Sequence, residues 1–162
     1  MKKQLLSLLF SSIVLLVAFP FQAAKAEESK TETTPSPVGF WKTIDDKDHQ
    51  PRSIVKIWEE NNQLQGKIVK VFYKEGESEK DLCTECEGED KDKPILGMTI
   101  LKGFSHEEAS LWTGGTILDP KNGHVYKSRL ILKDNDTLDV RGYIGLPLIG
   151  RSQTWERVEF KK

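Results

Sequence analysis

Short runs of alternating apolar and polar residues, separated by turn sequences, repeat along the chain from residue 39 onward. The first run reads GFWKTID, and the second, SIVKIW, follows a polar turn at 46–51. This spacing is typical of strands in an antiparallel barrel or sandwich, and no long stretch has the 3.6-residue apolar period of a helix. The pattern predicts eight strands, at 39–45, 53–58, 64–73, 95–104, 111–118, 125–133, 138–145 and 151–160. The segment 94–101 also fits a short helix.

Eight antiparallel strands in one small domain favour a closed barrel, because closure leaves no strand edge unpaired. The predicted fold class is therefore all-β, a single closed antiparallel barrel. A barrel of this size either fills its interior with side chains or holds one small ligand. The functional question is whether the interior is hollow.

The turn between the sixth and seventh strands sets their register. If residues 134–136 form the loop, Leu130 lies opposite Val140 and Arg129 lies opposite Arg141, because a slip of one residue would exchange the two faces of the sheet. The apolar face is then the interior. On it lie the residues that we expect to bind a ligand, namely Tyr126, Leu130, Val140 and Ile144.

The other face of the same two strands carries Arg129, Arg141 and Tyr143. Like charges directly opposite one another destabilise a sheet unless an anion lies between them. One interpretation is a solvated outer face, with Asp139 supplying counter-charge. The alternative reverses the faces, so that the pair grips a ligand carboxylate or phosphate inside the barrel. The first is favoured, since Arg is seldom buried without a partner.

The first strand contains Gly39 and Trp41, and the last contains Arg157. In a closed barrel these two strands are neighbours. A guanidinium over an indole gains cation–π attraction and can also donate to backbone carbonyls at the barrel end. We therefore expect Trp41 to plug one end, Arg157 to cover it, and Gly39 to allow close approach of the backbone.

The start of the chain has the pattern of an export signal. Lys2 and Lys3 precede an apolar run at 5–21, and the small residues of the sequence AKA at 24–26 suit a signal peptidase. An uncleaved anchor is the alternative, but Pro20 and the alanines favour cleavage. We expect a cleaved signal peptide at 1–26, a disordered spacer at 27–37 that has no apolar residue to bury, and a barrel domain at 38–162. The protein would be periplasmic or secreted.

Cleavage would leave 21 basic and 25 acidic residues, a formal net charge of −4. This balance gives no concentrated basic face for nucleic acid, and no integral membrane segment would remain. In an oxidising compartment Cys83 and Cys86 should form a disulfide. A redox or metal role for them is disfavoured by the acidic surroundings and the lack of further Cys or His ligands in the loop.

The three histidines, His49, His106 and His124, lie in or beside predicted turns. No Ser or Cys nucleophile has a fixed relationship to them, so no catalytic triad can be argued. We therefore predict no catalytic residues, no metal site and no cofactor.

Several unusual segments occur in an order that resembles a known family. Gly39-x-Trp41 with Arg157 is similar to the lipocalin or calycin pattern. The runs GFWKTIDD, PRSIVKIWEENNQLQGKIVKVF, LCTEC, DKPILGMTIL, WTGGTILDPKNGHVYK and LKDNDTLDVRGYIGLPLIGRSQTW resemble the secreted bacterial family called domain of unknown function twenty-one forty-seven. The resemblance implies a lipocalin-like barrel outside the cytoplasm and no established activity.

An apolar stretch with Gly and Pro, YIGLPLIG at 143–150, precedes the last strand. It either marks an exposed binding site or tucks under the barrel. Our first hypothesis is a non-enzymatic binding protein for a small apolar or amphipathic molecule. The alternative is a filled barrel whose loops bind a protein or a component of the cell envelope.

Overall fold

The computed structural model describes residues 35–161, and the predicted signal peptide and most of the predicted spacer lie outside this range. The described chain forms eight strands and one short 3₁₀ turn. The strands are β1 (Gly39–Ile44), β2 (Pro51–Glu60), β3 (Gln63–Val71), β4 (Thr99–Glu108), β5 (Leu111–Leu118), β6 (Val125–Leu132), β7 (Thr137–Tyr143) and β8 (Gly150–Arg157).

The strands form a closed antiparallel barrel in which each strand pairs with its neighbours in sequence, and β1 pairs with β8. This confirms the predicted fold class. The β6–β7 register is also the predicted one, with Leu130 opposite Val140 and Arg129 opposite Arg141. Turn chemistry agrees with the pairing. Asn61 and Asn62 both adopt positive φ in the two-residue β2–β3 turn, as a type I′ turn requires.

The short helix that the segment 94–101 also allowed is not formed. Residues 99–101 belong to β4, and the helical element of the described chain is a 3₁₀ turn at Gly88–Asp90 in the long β3–β4 loop. The segment forms a strand because Ile100 and Leu101 are then buried in the barrel core. Within residues 35–161 no helix has the length and apolar character needed to cross a membrane.

One end of the barrel is closed by Trp41 and Arg157, which lie directly opposite each other on β1 and β8. The guanidinium carbon lies 4.3 Å from the centre of the indole, and the indole itself is fully buried. Arg157 donates Nη1 to the carbonyl oxygen of Val38 and Nη2 to that of Ser36, both at 2.8 Å, and Nε to the carbonyl oxygen of Asn135. One side chain therefore joins the first strand, the last strand and the β6–β7 turn.

The ordered domain begins before residue 38, where we placed its start. Pro37 is fully buried, and its carbonyl oxygen accepts a hydrogen bond from Trp41 Nε1 at 2.7 Å. Ser36 accepts from Arg157, as described above. Residues 36 and 37, which we assigned to the spacer, are thus packed on the closed end. Composition alone missed this because the contacts use backbone carbonyls, which every residue has.

The half of the barrel next to this end is packed solid. Its fully buried side chains include Trp41, Ile57, Leu101, Phe104, Leu130 and Leu138. Small residues make room for large ones. A Cβ atom on Gly115 would lie 2.4 Å from the ring of Phe104, and one on Gly66 would lie 2.8 Å from Leu101. Side chains therefore fill this half.

We predict that Gly39→Ala destabilises the barrel by about 3 kcal/mol, against about 1 kcal/mol for Gly76→Ala. Both glycines have positive φ, but a Cβ on Gly39 would lie 2.6 Å from Arg157 Nη1, whereas one on Gly76 would meet nothing within 4 Å. Urea unfolding of both variants measures the difference. Equal losses would show that neither the Arg157 contact nor the backbone angle of Gly39, φ +140° against +83° at Gly76, limits residue 39.

Candidate ligand-binding site

The other half of the barrel holds a cavity of about 490 Å³. It lies between the C-terminal ends of the odd-numbered strands and the N-terminal ends of the even-numbered ones. Ligand pockets commonly have volumes of about 300–1,000 Å³, so this cavity can accept one small molecule. Its apolar wall is formed by Ile68, Ile100, Ile117, Leu118, Val140 and Trp155.

Three of the four residues that we expected to line a ligand site border this cavity, namely Tyr126, Val140 and Ile144. The fourth, Leu130, is fully buried in the packed half and lies outside the cavity lining. The inner face of β6 runs the length of the barrel. Strand alternation therefore predicts which residues point inward, but it does not predict whether they lie in the packed half or in the cavity. Whether the three residues bind a ligand stays a prediction.

A pair of buried hydroxyl groups lies in the wall of the cavity. Thr43 Oγ1 and Ser53 Oγ are 2.8 Å apart on neighbouring strands, and Thr43 Oγ1 also accepts the backbone N–H of Ser53 at 3.1 Å. Two hydroxyl hydrogens share this arrangement and only one is used between the pair. Within residues 35–161 the other has no acceptor, so it can donate to a polar atom of a ligand.

A buried carboxylate lies at the cavity mouth. Asp45 Oδ2 accepts from Lys74 Nζ at 2.8 Å and from Lys121 Nζ at 2.9 Å, and Oδ1 accepts from the backbone N–H of Lys47 at 3.0 Å. These bonds, with Lys74 the strongest contributor, hold the pKa of Asp45 well below its ordinary value of 3.8 despite burial. Asp45 therefore ties the β1–β2 turn to two distant loops as an ionised group.

Two further ion pairs lie around the mouth. Arg52 forms a two-pronged ion pair with Glu77, which lowers the pKa of Glu77. Arg151 pairs with Asp46, and Gln153 donates to the same carboxylate at 3.0 Å. The mouth is thus polar, while each of these charges already has an opposite charge beside it.

Sequence reasoning missed this polar set. Thr43 shares the inner face of β1 with Trp41, and Asp45 follows the end of the strand at the same two-residue spacing, so strand alternation was a usable signal for them. Lys74 and Lys121 gave no such signal. They reach Asp45 from loops 29 and 76 residues away along the chain, and only the closed fold brings them together.

The predicted disulfide between Cys83 and Cys86 is present, with both residues buried. The loop around it packs against the β5–β6 turn, whose residues 119–122 line the cavity mouth. A Cβ on Gly123 would lie 1.8 Å from the carbonyl oxygen of Glu85, so the two backbones touch at that glycine. The disulfide loop therefore supports one side of the mouth.

The arginine pair lies on the outer face of β6 and β7, where the buried residues alternate with it. Arg141 donates Nε to the carbonyl oxygen of Pro147 at 2.7 Å, Nη2 to that of Leu148 at 3.3 Å, and Nη1 to Ser152 Oγ at 2.9 Å. Arg129 Nε is buried and has no hydrogen-bond partner within residues 35–161. Tyr143, the third residue of the suggested anion site, borders the cavity mouth.

The apolar stretch before β8 forms an exposed loop at the rim of the cavity. We call residues 144–149 the apolar loop. Its aliphatic side chains are among the most exposed of the described chain, and Ile144 and Ile149 also line the cavity. Of the two alternatives offered by the sequence, the loop is exposed and does not tuck under the barrel.

The histidines lie apart from one another. His106 stacks beside Trp112, with ring centres 4.8 Å apart, and His124 meets the edge of Tyr126. His49 lies in the β1–β2 turn with positive φ. Among residues 35–161 no three His, Cys, Asp or Glu side chains are grouped so as to hold a metal ion.

Comparisons with known proteins agree with this geometry. The family described as "Uncharacterized protein conserved in bacteria (DUF2147)" matches residues 39–157. A search of the curated proteins finds no significant match. Among solved structures, protein HP1028 of the human pathogen Helicobacter pylori, described as belonging to the lipocalin family, is similar with a TM-score of 0.68 and 16% identity. The match covers 78% of this chain and 85% of that one. At this identity the likeness establishes a lipocalin-like fold.

We predict that the Asp45 cluster makes the free energy of unfolding fall at acidic pH. Because the pKa of Asp45 in the folded protein lies below its ordinary value of 3.8, its contribution is complete above about pH 5 and is lost as the pH falls below about 4. Asp45→Asn should lower the free energy of unfolding by about 2 kcal/mol near pH 7 and flatten its fall between about pH 5 and pH 2.

Urea unfolding across this pH range checks the prediction. Lys74→Gln should flatten the profile more than Lys121→Gln, because the hydrogen bond from Lys74 has the larger effect on the pKa of Asp45. An Asp45→Asn profile parallel to that of the wild type would contradict it.

Proposed function

We propose that this chain, which belongs to the bacterial family DUF2147, is an extracytoplasmic binding protein that holds one small apolar or amphipathic molecule in the open half of its barrel. The observation that carries the proposal is the cavity of about 490 Å³ beside a half that is packed solid. A barrel that served only as a scaffold would gain stability by filling both halves, since voids cost packing energy.

The lining supports an amphipathic ligand. Aliphatic and aromatic side chains form the deeper wall and offer burial worth about 25 cal/mol per Å² of apolar ligand surface. The Thr43–Ser53 pair offers a hydroxyl donor from within the wall, and Tyr126 and Gln153 lie nearer the mouth. A ligand with an apolar body and one hydrogen-bond acceptor matches this distribution.

We propose binding and not catalysis. A general acid or base is normally a group held near its working pKa in a cleft. Here the carboxylates at the mouth, Asp45 and Glu77, are paired with cations that lower their pKa values. Such groups suit a structural role in holding the mouth.

The alternative function is an interaction module that binds a protein or an envelope component through its loops. The exposed apolar loop favours it, because exposed apolar patches often mark interaction sites. The two functions differ in what they require of the interior. Only the first depends on the cavity.

We predict that Val140→Trp abolishes ligand binding while the barrel still folds, because the indole would occupy the cavity that Val140 lines. The measurement is fluorescence titration with N-phenyl-1-naphthylamine, an apolar probe, together with native mass spectrometry of the protein purified from its host. Lys56→Trp is the control, since Lys56 is exposed on the outer face of β2. Unchanged probe affinity in Val140→Trp would exclude the cavity as the site and leave the loop-mediated function.

We predict that the exported protein starts at Glu27, because the sequence AKA at 24–26 suits a signal peptidase. Intact-mass measurement of the protein recovered from the periplasm and from the culture medium identifies the first residue and the compartment. A protein that retains residues 1–26 in the membrane fraction would contradict export by cleavage.

A further inference from the structure

We propose that the apolar loop at residues 144–149 docks the protein on an anionic phospholipid surface. The docked loop would place the mouth of the cavity against the lipid. This last step rests on the proposed function, whereas the docking itself does not.

The first argument is exposure. The side chains of Ile144, Leu146, Leu148 and Ile149 are 68%, 65%, 89% and 68% exposed, and no charged residue occurs between residues 142 and 150. Four aliphatic side chains concentrated on one six-residue loop form a patch that water disfavours, and burial of such surface in a lipid interface is favourable.

The second argument is that the loop is held in its exposed shape. Ile144 N–H donates to the carbonyl oxygen of Ile149 at 3.1 Å, and Ile149 N–H donates to that of Leu146 at 3.0 Å. Arg141 binds two further carbonyl oxygens of the loop from behind, as described above. A preorganised loop loses little conformational entropy on docking, and its bonded backbone groups can approach lipid at low cost.

The third argument is charge. Behind the apolar loop, the outer faces of β6 and β7 carry a cationic collar formed by Lys127, Arg129 and Arg141, with Arg129 and Arg141 directly opposite one another. The only acid in these two strands is Asp139, which pairs with Lys133 at 3.1 Å. An apolar tip with a basic collar is the arrangement that binds anionic lipid surfaces.

Arg129 adds an independent observation. Its Nε atom is buried without a hydrogen-bond partner among residues 35–161, so no described acceptor is bonded to that nitrogen. Lys56 and Lys67 form a comparable like-charge pair on the opposite wall of the barrel, but no apolar loop adjoins them. The combination of collar and loop is thus specific to one side of the cavity mouth.

A lipid surface fits this patch better than a protein partner does. Protein interfaces depend on aromatic and arginine anchors seated in complementary pockets, whereas the tip of this loop is purely aliphatic. Ile144 and Ile149 are exposed and also line the cavity, so the surface that meets the lipid is continuous with the cavity wall.

The test is co-sedimentation with vesicles of phosphatidylcholine alone and with one third phosphatidylglycerol. Wild type should bind the anionic vesicles and bind the neutral ones at least about tenfold more weakly, since each nearby Lys or Arg contributes about fivefold. Leu146→Ser with Leu148→Ser should weaken binding to anionic vesicles by at least about tenfold. Neither residue lines the cavity. All variants share one N-terminal segment, so a difference between them reports the loop or the collar.

Lys127→Gln with Arg129→Gln should weaken binding to anionic vesicles and reduce its salt dependence. The matched control, Lys56→Gln with Lys67→Gln, removes the same charge from the opposite wall and should bind like wild type. Equal binding by the Leu146/Leu148 variant and wild type would overturn the proposal, as would failure of wild type to bind anionic vesicles. The latter result would leave the loop to a protein partner.

N-phenyl-1-naphthylamine titration without vesicles separates the two proposals. The Leu146/Leu148 variant should keep wild-type probe affinity, because its cavity is intact. If wild type binds anionic vesicles but not the probe, the proposed function alone is overturned. If wild type binds the probe but not the vesicles, the docking alone is overturned. Thermal unfolding of each variant verifies that the barrel is folded.

Discussion

The contact between Arg157 and Trp41 is the interaction on which the closed barrel depends most directly. Only a short ladder, two residue pairs long, joins β1 to β8, whereas β6 and β7 are joined by six pairs and β7 and β8 by seven. The guanidinium adds what the short ladder lacks. It covers the indole and holds three backbone carbonyls around it, which also fixes the start of the domain and the β6–β7 turn. The seam is thus held by one side chain acting at four points, the indole and three backbone carbonyls.

One half of the barrel interior is packed with side chains, and the other half holds the cavity. Near the seam, bulky side chains and the glycines beside them form a solid core. At the other end, the aliphatic residues of the lining are mostly Ile and Val, and the centre is unfilled. Other contacts stabilise the mouth of the cavity. The Asp45 cluster, the Arg52–Glu77 pair and the disulfide loop hold the turns around it in place. Rigid walls around an unfilled centre are what a preformed binding pocket requires.

Much of this architecture could be predicted from the sequence because it depends on local patterns. Alternation of apolar and polar residues predicted the strands. The three-residue turn at 134–136 fixed the β6–β7 register, because its number of residues is odd. Gly39, Trp41 and Arg157 together indicated that the first and last strands meet. The sequence did not predict how deep a residue lies in the barrel or which distant loops meet. Leu130 and Val140 are opposite neighbours on the same inner face, yet Val140 lines the cavity and Leu130 does not. No alternation rule separates them, because the boundary between packed and open halves is set by side chains from other strands.

The order of the strands around the ring has a kinetic consequence. Seven of the eight pairings join strands adjacent in sequence and can begin as hairpins. The eighth brings together groups as far apart as Val38 and Arg157, 119 residues along the chain. Forming that last pairing requires the largest loop-closure entropy, so we expect it to form after the hairpins, from a curved sheet whose two edge strands are still unpaired. Such edges invite pairing with other chains, so we expect slow closure of the ring to favour aggregation of the newly made protein.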